Sequence, residues 1–378
     1  MNLPEPARTP PRRRLEPGWL LPLFALLTIT LALFDPQPLA RYQHWLQLPT
    51  LAGLLGLLIA IQGIRDSGMV QHAAVLLAAR MRSLRMLGML LVAVAALLSM
   101  ALTNDASLFL IVPLTLAVGN VSNLPIVRMV VLEALAVNAG STLSPIGNPQ
   151  NLLLCQHFGL SFVEFALGMF PVAAVMLTLV VLLALCWLPR GAVAFNVSQF
   201  DAAIRSRRLG VCSIAALLTV VLAIDQGHAV AGAALLLTLF AVRGRASLLH
   251  VDWPLLLLFA LIFLALGHLA ELPAVSNALA LLDWHRPLTL YASGIVMSQF
   301  ISNVPATVLL LDHAANPLIL AAAVNVGGFG LATGSLANLI ALRLLRGRTG
   351  SATLHRASIP VLLICAPLVY LVLCWTRS

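Results

Sequence analysis

Four short polar clusters interrupt an otherwise apolar chain: "TNDAS" from residue 103, "SPIGNPQN" from 144, "SNVPA" from 302 and "FGLATGS" from 329. They carry amides, hydroxyls, glycines, prolines and one carboxylate, Asp105, with no basic side chain among them. Such groups hold ions and small polar solutes through oxygens and amides. They do not build a nucleophilic or metallohydrolase centre: neither HExxH nor GxSxG occurs, and the phosphate-cradling GxxxxGK[ST] is absent as well. Enzymes of those classes, and an ATPase within this chain, are therefore excluded. Cys155, Cys186, Cys212, Cys365 and Cys374 lie in or beside apolar segments without metal-ligand spacing, and read as structural thiols.

The elements that must position these clusters are membrane helices. Of 378 residues, 61% are hydrophobic and 9% charged, and the mean hydropathy is +1.00. That composition describes an all-α polytopic membrane protein with no room for a sizeable soluble domain. The net charge of +9 comes from arginine alone, since the chain has no lysine. The arginines occupy the gaps between apolar runs and form no basic helix face, so they mark orientation, and no nucleic-acid partner is expected.

A span needs about 20 apolar residues. The runs flanking the clusters are shorter and come in pairs: 86–102 with 106–118, 125–143 with 151–160, 288–301 with 304–314, and 316–328 with 335–345. If the pairs 86–118 and 288–314 are re-entrant hairpins while 125–160 and 316–345 are discontinuous crossing helices, only Arg41, Arg286 and Arg377 face outside. This topology puts the N-terminal tail, residues 1–18, in the cytoplasm and the C-terminus outside. The run 19–34 reads as a first span, although "PLA" before Arg41 faintly resembles a leader cleavage site. Residues 68–83 are amphipathic and read as an interfacial helix. The polar stretch 190–208 is a cytoplasmic linker dividing a first half, 19–189, from a second, 209–378, which ends in a helix over 357–376.

The halves repeat each other. "NAGSTLSPIGNPQNLLL" from 138 aligns without gaps on "NVGGFGLATGSLANLIA" from 325, matching Asn138 with Asn325, Gly140 with Gly327, Gly147 with Gly334 and Asn151 with Asn338. Upstream, Ser99 and Asn104 match Ser298 and Asn303. In the topology above the two hairpins enter from opposite sides, which makes this an inverted repeat. A helix interrupted inside the membrane offers carbonyls at its broken C-terminus and amide donors at the next N-terminus. One break can therefore hold a cation on one side and an anion on the other. Asn104, Asp105, Ser107, Ser302 and Asn303 suit capping of the second hairpin arms, and Asn148 suits capping of the half-helix that carries Asn151. Gly147, Gly330 and Gly334 suit backbone conformations that other residues resist.

The stretches "NDASLFLIVP", "SPIGNPQN", "SNVPA" and "GLATGSLANL" resemble the signature regions of the ion transporter superfamily, which holds arsenite permeases, NhaD-type sodium/proton antiporters, citrate permeases and divalent-anion/sodium symporters. Within it the chain most resembles the YbiR-like anion transporters of the bacterial inner membrane, from about residue 45 to its end. The resemblance implies a secondary transporter of a small anion with elevator-like alternating access. It also implies a lipid-embedded scaffold that often forms homodimers, and, where members use sodium, that ion held between hairpin tips and unwound helices without further cofactors. By position, cation coupling falls to Ser99, Thr103, Asp105, Ser144 and Gly147 in one half and to Ser298, Ser302, Gly330 and Gly334 in the other. Substrate binding falls to Asn104, Ser107, Asn148, Asn151, Asn303, Thr333, Ser335 and Asn338. Dicarboxylate carriers of the superfamily have Ser-Asn-Thr at both tips, whereas this chain has Thr-Asn-Asp and Ser-Asn-Val. "TND" favours the alternative of arsenite efflux or sodium/proton exchange.

Asp105 has two readings, a coupling carboxylate or a plain N-cap. Glu133 is expected to pair with Arg128 at the cytoplasmic edge, with proton relay as the other reading. His268 reads as a satisfied polar group near a helix end, and Asp312 and His313 as solvated residues at the outer end of the second hairpin.

Overall fold

Apolar runs bounded by capping residues become helices. The computed structural model describes residues 20–78, 80–121, 124–192, 204–345 and 350–375. Arg8, Arg12 to Arg14, most of the linker, Arg346, Arg348, Arg377 and Ser378 lie outside the described residues. In the first half the helices are α1 (Leu20–Phe34), α2 (Leu39–Trp45), α3 (Leu48–Ser67), α4 (Met69–Ala78), α5 (Leu84–Ala101), α6 (Asn104–Val121), α7 (Ile126–Ser141), α8 (Pro149–Phe158) and α9 (Phe162–Trp187). After the linker come α10 (Arg207–Asp225), α11 (Ala229–Arg243), α12 (Arg245–Leu249), α13 (Trp253–Glu271) and α14 (Pro273–Ala280). The chain finishes with α15 (Pro287–Ile301), α16 (Asn303–Leu310), α17 (Pro317–Val326), α18 (Leu336–Leu344) and α19 (Ser351–Trp375). Among the described residues the only extended pairing is one isolated bridge between Ser83 and Ala192.

Among the described residues, six helices, α3, α5, α9, α10, α13 and α19, are long and apolar enough to cross a membrane. Their outward faces carry residues such as Leu167 and Phe170 on α9 and Val211 and Leu218 on α10, all exposed. Apolar surface on that scale suits lipid rather than water. Pro113, Pro171, Pro360 and Pro367 sit inside α6, α9 and α19, a placement that neighbouring helices make tolerable in a membrane.

Side-chain caps fix where the helices begin. Ser161 and Glu164 form a reciprocal capping box at α9, and Asn316 Oδ1 accepts from the Leu318 and Ile319 amides beside Pro317. The short runs become helices, with shifted bounds. The final helix starts at Ser351 rather than near 357, because its polar opening residues continue one helix. The segment expected over 304–314 is α16 followed by a 3-10 turn at Leu311–His313.

The helices pack in two groups, each drawn from both halves of the sequence. In one, α3 packs on α10 and α11, and α1 on α13. Gly56 and Gly63 let α3 lie close, since a Cβ on either would sit 2.4 Å from Val220 or 2.1 Å from the Ser213 hydroxyl. In the other, α5, α6, α7, α8, α9 and α15 to α19 gather around the polar clusters. The groups meet where α3 touches α8, α13 touches α16, and α4 touches α5 and α6.

Candidate functional site

The polar centre grows from two interrupted helices. α7 stops at Ser141, the chain makes a 3-10 turn at Pro145–Gly147, and α8 starts at Pro149 with Asn148 as its cap. Asn148 Oδ1 accepts from the Asn151 amide at 3.1 Å. The second interruption follows the same order: α17 stops at Val326, a 3-10 turn spans Ala332–Gly334, and Ser335 caps α18. The carbonyls orphaned by each break find side-chain donors. Asn151 Nδ2 donates to the Ser141 and Ser144 carbonyls, both at 3.1 Å. At the equivalent positions, Asn338 Nδ2 donates to the Gly328 and Leu331 carbonyls at 2.9 and 3.3 Å. Buried backbone groups require such partners, and here asparagine supplies them.

The breaks are also bonded to each other. Asn325 Nδ2 donates to Asn151 Oδ1 at 2.7 Å, and Asn148 Nδ2 donates to Asn325 Oδ1 at 2.9 Å. With the halves exchanged, Asn138 Nδ2 donates to Asn338 Oδ1 at 3.0 Å, and Ser335 Oγ donates to Asn138 Oδ1 at 2.9 Å. Ser141 joins the two sets, accepting from Asn148 and donating to the Asn138 carbonyl. All of these residues are buried. The sites expected at Asn148, Asn151, Ser335 and Asn338 therefore form one network. Its two hubs, Asn138 and Asn325, were visible as matched residues but not singled out as site residues.

The hairpin tips lie in the same helix group but are not hydrogen-bonded to this network. α6 packs on α18 and α16 on α8, so each hairpin's second arm meets the half-helix of the other half. At the first tip, Thr103 Oγ1 accepts from the Ala106 amide at 3.3 Å and Asn104 Oδ1 from the Asp105 amide at 2.8 Å, while Ser107 Oγ donates back to the Thr103 carbonyl. Thr103 thus takes the capping role expected of Asp105 and Ser107. At the second tip, Asn303 Oδ1 accepts from the Val304 amide at 3.0 Å. Ser302 caps nothing with its side chain and holds φ at 75°, a left-handed setting that non-glycine residues rarely keep without a functional or structural demand. Ser99 and Ser298 each bond a carbonyl of their own helix, Ala96 and Gly294. Each also lies against the matched glycine, since a Cβ on Gly140 would come within 2.4 Å of Ser99 and one on Gly327 within 2.6 Å of Ser298.

Gly330 has φ 95° and meets the expected need for an unusual backbone. Gly147 and Gly334 serve a different purpose. Their φ is ordinary, but a Cβ would stand 2.4 Å from the Ser141 carbonyl oxygen or 2.6 Å from that of Gly327. The requirement is close backbone approach. Thr333 Oγ1 donates to the Gln299 carbonyl at 2.6 Å and is half-buried. Gln299 also donates to the Gly327 carbonyl and accepts from the Leu331 amide, and His355 accepts from the Ala332 amide. Gln299 and His355 brace the second break and were not anticipated from sequence.

Three ionisable or amide groups stand out by what they lack. Asp105 is buried and its Oδ1 has no hydrogen-bond partner, which removes the plain N-cap reading. Asp252, just before α13, accepts from the Leu255 amide at 3.1 Å. Burial pushes the Asp252 carboxyl above its ordinary value, with the Leu255 amide and Arg65 opposing. Gln150 is fully buried between Pro149 and Asn151, and neither end of its carboxamide is bonded. Glu133 does not pair with Arg128. It is fully buried against Thr115, while Arg128 reaches the Trp187 carbonyl and lies over the Trp187 ring at 5.7 Å. Of the outlying residues, His268 Nε2 contacts Asp35 at 2.9 Å and Asp312 is exposed, as expected, whereas His313 is half-buried with its ring stacked on Trp284 at 5.1 Å.

With this geometry in hand, similarity to known proteins is specific. Residues 15–317 match the family model CitMHS, described as citrate transporter. The chain is 37% identical to the inner membrane protein YbiR of Escherichia coli (strain K12), over 96% of this chain and 97% of that protein. It is 29% identical to the uncharacterized transporter MJ0456 of Methanocaldococcus jannaschii, over 85% of this chain and 87% of that one. A shorter match, 32% identical over 38% of this chain and 30% of the other, is to the silicon efflux transporter LSI3 of Oryza sativa subsp. japonica.

Proposed function

We propose, from the premise that this chain belongs to the CitMHS citrate transporter family, that it is a secondary active transporter of a small anion in the bacterial inner membrane. Alternating access is driven by sodium or protons. The membrane placement extends to this chain what the name of YbiR states for its relative. In this reading α5–α6 and α15–α16 are re-entrant hairpins of an inverted repeat, and α7–α8 and α17–α18 are its discontinuous helices.

One observation carries the reading: the reciprocal exchange in which Asn325 bonds Asn151 while Asn138 bonds Asn338. Two halves that swap the same contacts form a single centre from four helix ends. A transporter needs such a centre at mid-membrane, built from helix termini and unwound backbone. Substrate would contact Asn104, Ser107, Gln150, Asn303 and Thr333 around the network, with the N-termini of α6, α8, α16 and α18 supplying positive potential. Among the described residues the only buried basic side chain is His268, which is engaged by Asp35. An anion here would therefore rely on helix dipoles, hydroxyls, amides and a co-bound cation. Ser99, Thr103 and Asp105 on one side and Ser298 and Ser302 on the other provide oxygens for that cation.

A second reading is favoured by Asp105 Oδ1, buried and unpartnered beside that same cradle. A carboxylate there opposes a charged anion, and arsenite efflux or sodium/proton exchange would suit it. LSI3 is named for efflux of silicon. Uptake into proteoliposomes of citrate, sulfate, phosphate and arsenite, with and without sodium or pH gradients, separates the readings. Gradient-driven accumulation of an anion supports the first. Sodium/proton exchange without anion movement, or arsenite movement alone, replaces it with the second.

A further inference from the structure

We propose that Glu133 is a proton-binding site distinct from the ligand cradle, alternating between carboxylic acid and carboxylate at the interface of α6 and α7. This deepens the transporter reading, on which it rests, by naming a proton as a carried co-ion and the side chain that carries it.

The geometry isolates the carboxyl. Glu133 has no exposed surface, Thr115 Oγ1 donates to its Oε1, and its Oε2 has no partner at all. Arg128, five residues earlier, projects from another side of α7 and is taken up by Trp187. Pairs along a helix form at spacings of three or four. The helices packed on α7 are α5, α6, α8's 3-10 lead-in, α9, α17, α18 and α19. Their charged groups are Arg85, Asp105, Glu164, Arg343, His355 and Arg356. None is bonded to Glu133: Arg85 holds the Leu188 carbonyl, Glu164 caps α9, and His355 accepts from Ala332. The thiols and phenol of α9 and α19 are not bonded to it either.

A carboxylate in this setting would be an unpaired buried charge, costing several kcal/mol. A carboxylic acid leaves only one O–H without an acceptor, a much smaller penalty than an unpaired charge. The acid is therefore the form held in this conformation. Its release has a structural route. Pro113 lies inside α6 two residues before Thr115, and removes a helical amide from the turn that carries the sole hydrogen-bond donor to Glu133. A cleft lined by Leu124, Pro125, Ile126, Val127, Arg128 and Thr353 opens at the start of α7. From Val127 to Glu133 is about 9 Å along the helix. Displacement of α6 carries Thr115 away and opens a path from Glu133 along α7 toward that cleft. Glu133 then dissociates as carboxylate and proton, and the reverse movement takes the proton back.

Infrared difference spectroscopy on the purified full-length protein, titrated from acidic to alkaline buffer, reads this without any substrate. The wild type is expected to show a protonated-carboxyl C=O band that fades on alkalinisation. Glu133→Gln should lose that band, Asp105→Asn should retain it, and Thr115→Val should shift it by removing the hydrogen bond. Gel filtration establishes that each variant is folded, and Thr115→Val decides the matter if Glu133→Gln is not. A band unchanged in Glu133→Gln and unmoved in Thr115→Val overturns the proposal, as does a Glu133 band that never responds to alkali, which would make the group a fixed structural acid. Failure of transport in wild-type proteoliposomes would instead count against the transporter reading and leave the infrared result standing.

Discussion

Asn325 donates its side-chain amide to Asn151 at 2.7 Å, joining the end of α17 to the start of α8 across the two halves of the chain. Asn138 does the same to Asn338 at 3.0 Å in the opposite direction. Removing either hub strands several buried donors and acceptors. Asn325→Ala and Asn138→Ala are each expected to cost about 1–3 kcal/mol for every partner left unsatisfied, read as a clear fall in the melting temperature of the detergent-solubilised protein. Unchanged melting in both variants would mean that the network contributes nothing to the fold.

Gly147 and Gly159 separate two uses of glycine. A methyl on Gly147 meets the fixed backbone of Ser141 at 2.4 Å, whereas Gly159 has φ 65° and open space around it. Gly147→Ala should therefore abolish transport and depress the yield of folded protein. Gly159→Ala should cost only the left-handed strain of about 1–2 kcal/mol and keep its flux. The two variants compared side by side in uptake and gel filtration check this, and equal behaviour would argue against tight packing at the break.

Much of this architecture is legible in the sequence, for a physical reason. Proline, glycine and asparagine inside an apolar run have no solvated-loop alternative, so the interruptions at 144 and 329 had to be built features, and the match of Asn138 to Asn325 already marked both hubs. What sequence does not carry is which oxygen meets which amide, because that depends on how α7 packs against α17 and α18. Gln150 escapes the repeat argument since Ala337 stands at the matched position. The Arg128–Glu133 pair fails on helix geometry alone, as five residues turn the two side chains to different faces.

Asp105 is buried at the first hairpin tip with one oxygen unpartnered. If it neutralises the coupling cation, Asp105→Asn should stay folded yet lose gradient dependence, leaving only slow equilibration of substrate. Flux in sodium-gradient and pH-gradient proteoliposomes measures it. Undiminished gradient-driven uptake in that variant would remove Asp105 from coupling.

Directly after α1, Asp35 is held below the usual carboxylate range, first by its hydrogen bond with His268 and then by Gln37. A depressed folded-state value means the contact stabilises the protein above the unfolded value of about 3.9 and is lost as pH falls through the lower folded value. The melting temperature should therefore drop on acidification below about pH 4 in the wild type, and drop less in Asp35→Asn. Parallel acid melting curves for the two proteins would contradict this. The carboxylate is exposed, so the difference is expected to be small.

The account stands on two hairpin tips from opposite halves serving one ligand cradle. Its most direct test is gradient-driven uptake, by Asn104→Ala and Asn303→Ala proteins of wild-type melting behaviour, of whichever anion the wild type accumulates. Both variants are predicted to lose accumulation of that same anion by at least about tenfold, the effect of roughly 1.4 kcal/mol. Wild-type accumulation in either variant would show that the halves do not share a site, and would contradict the account.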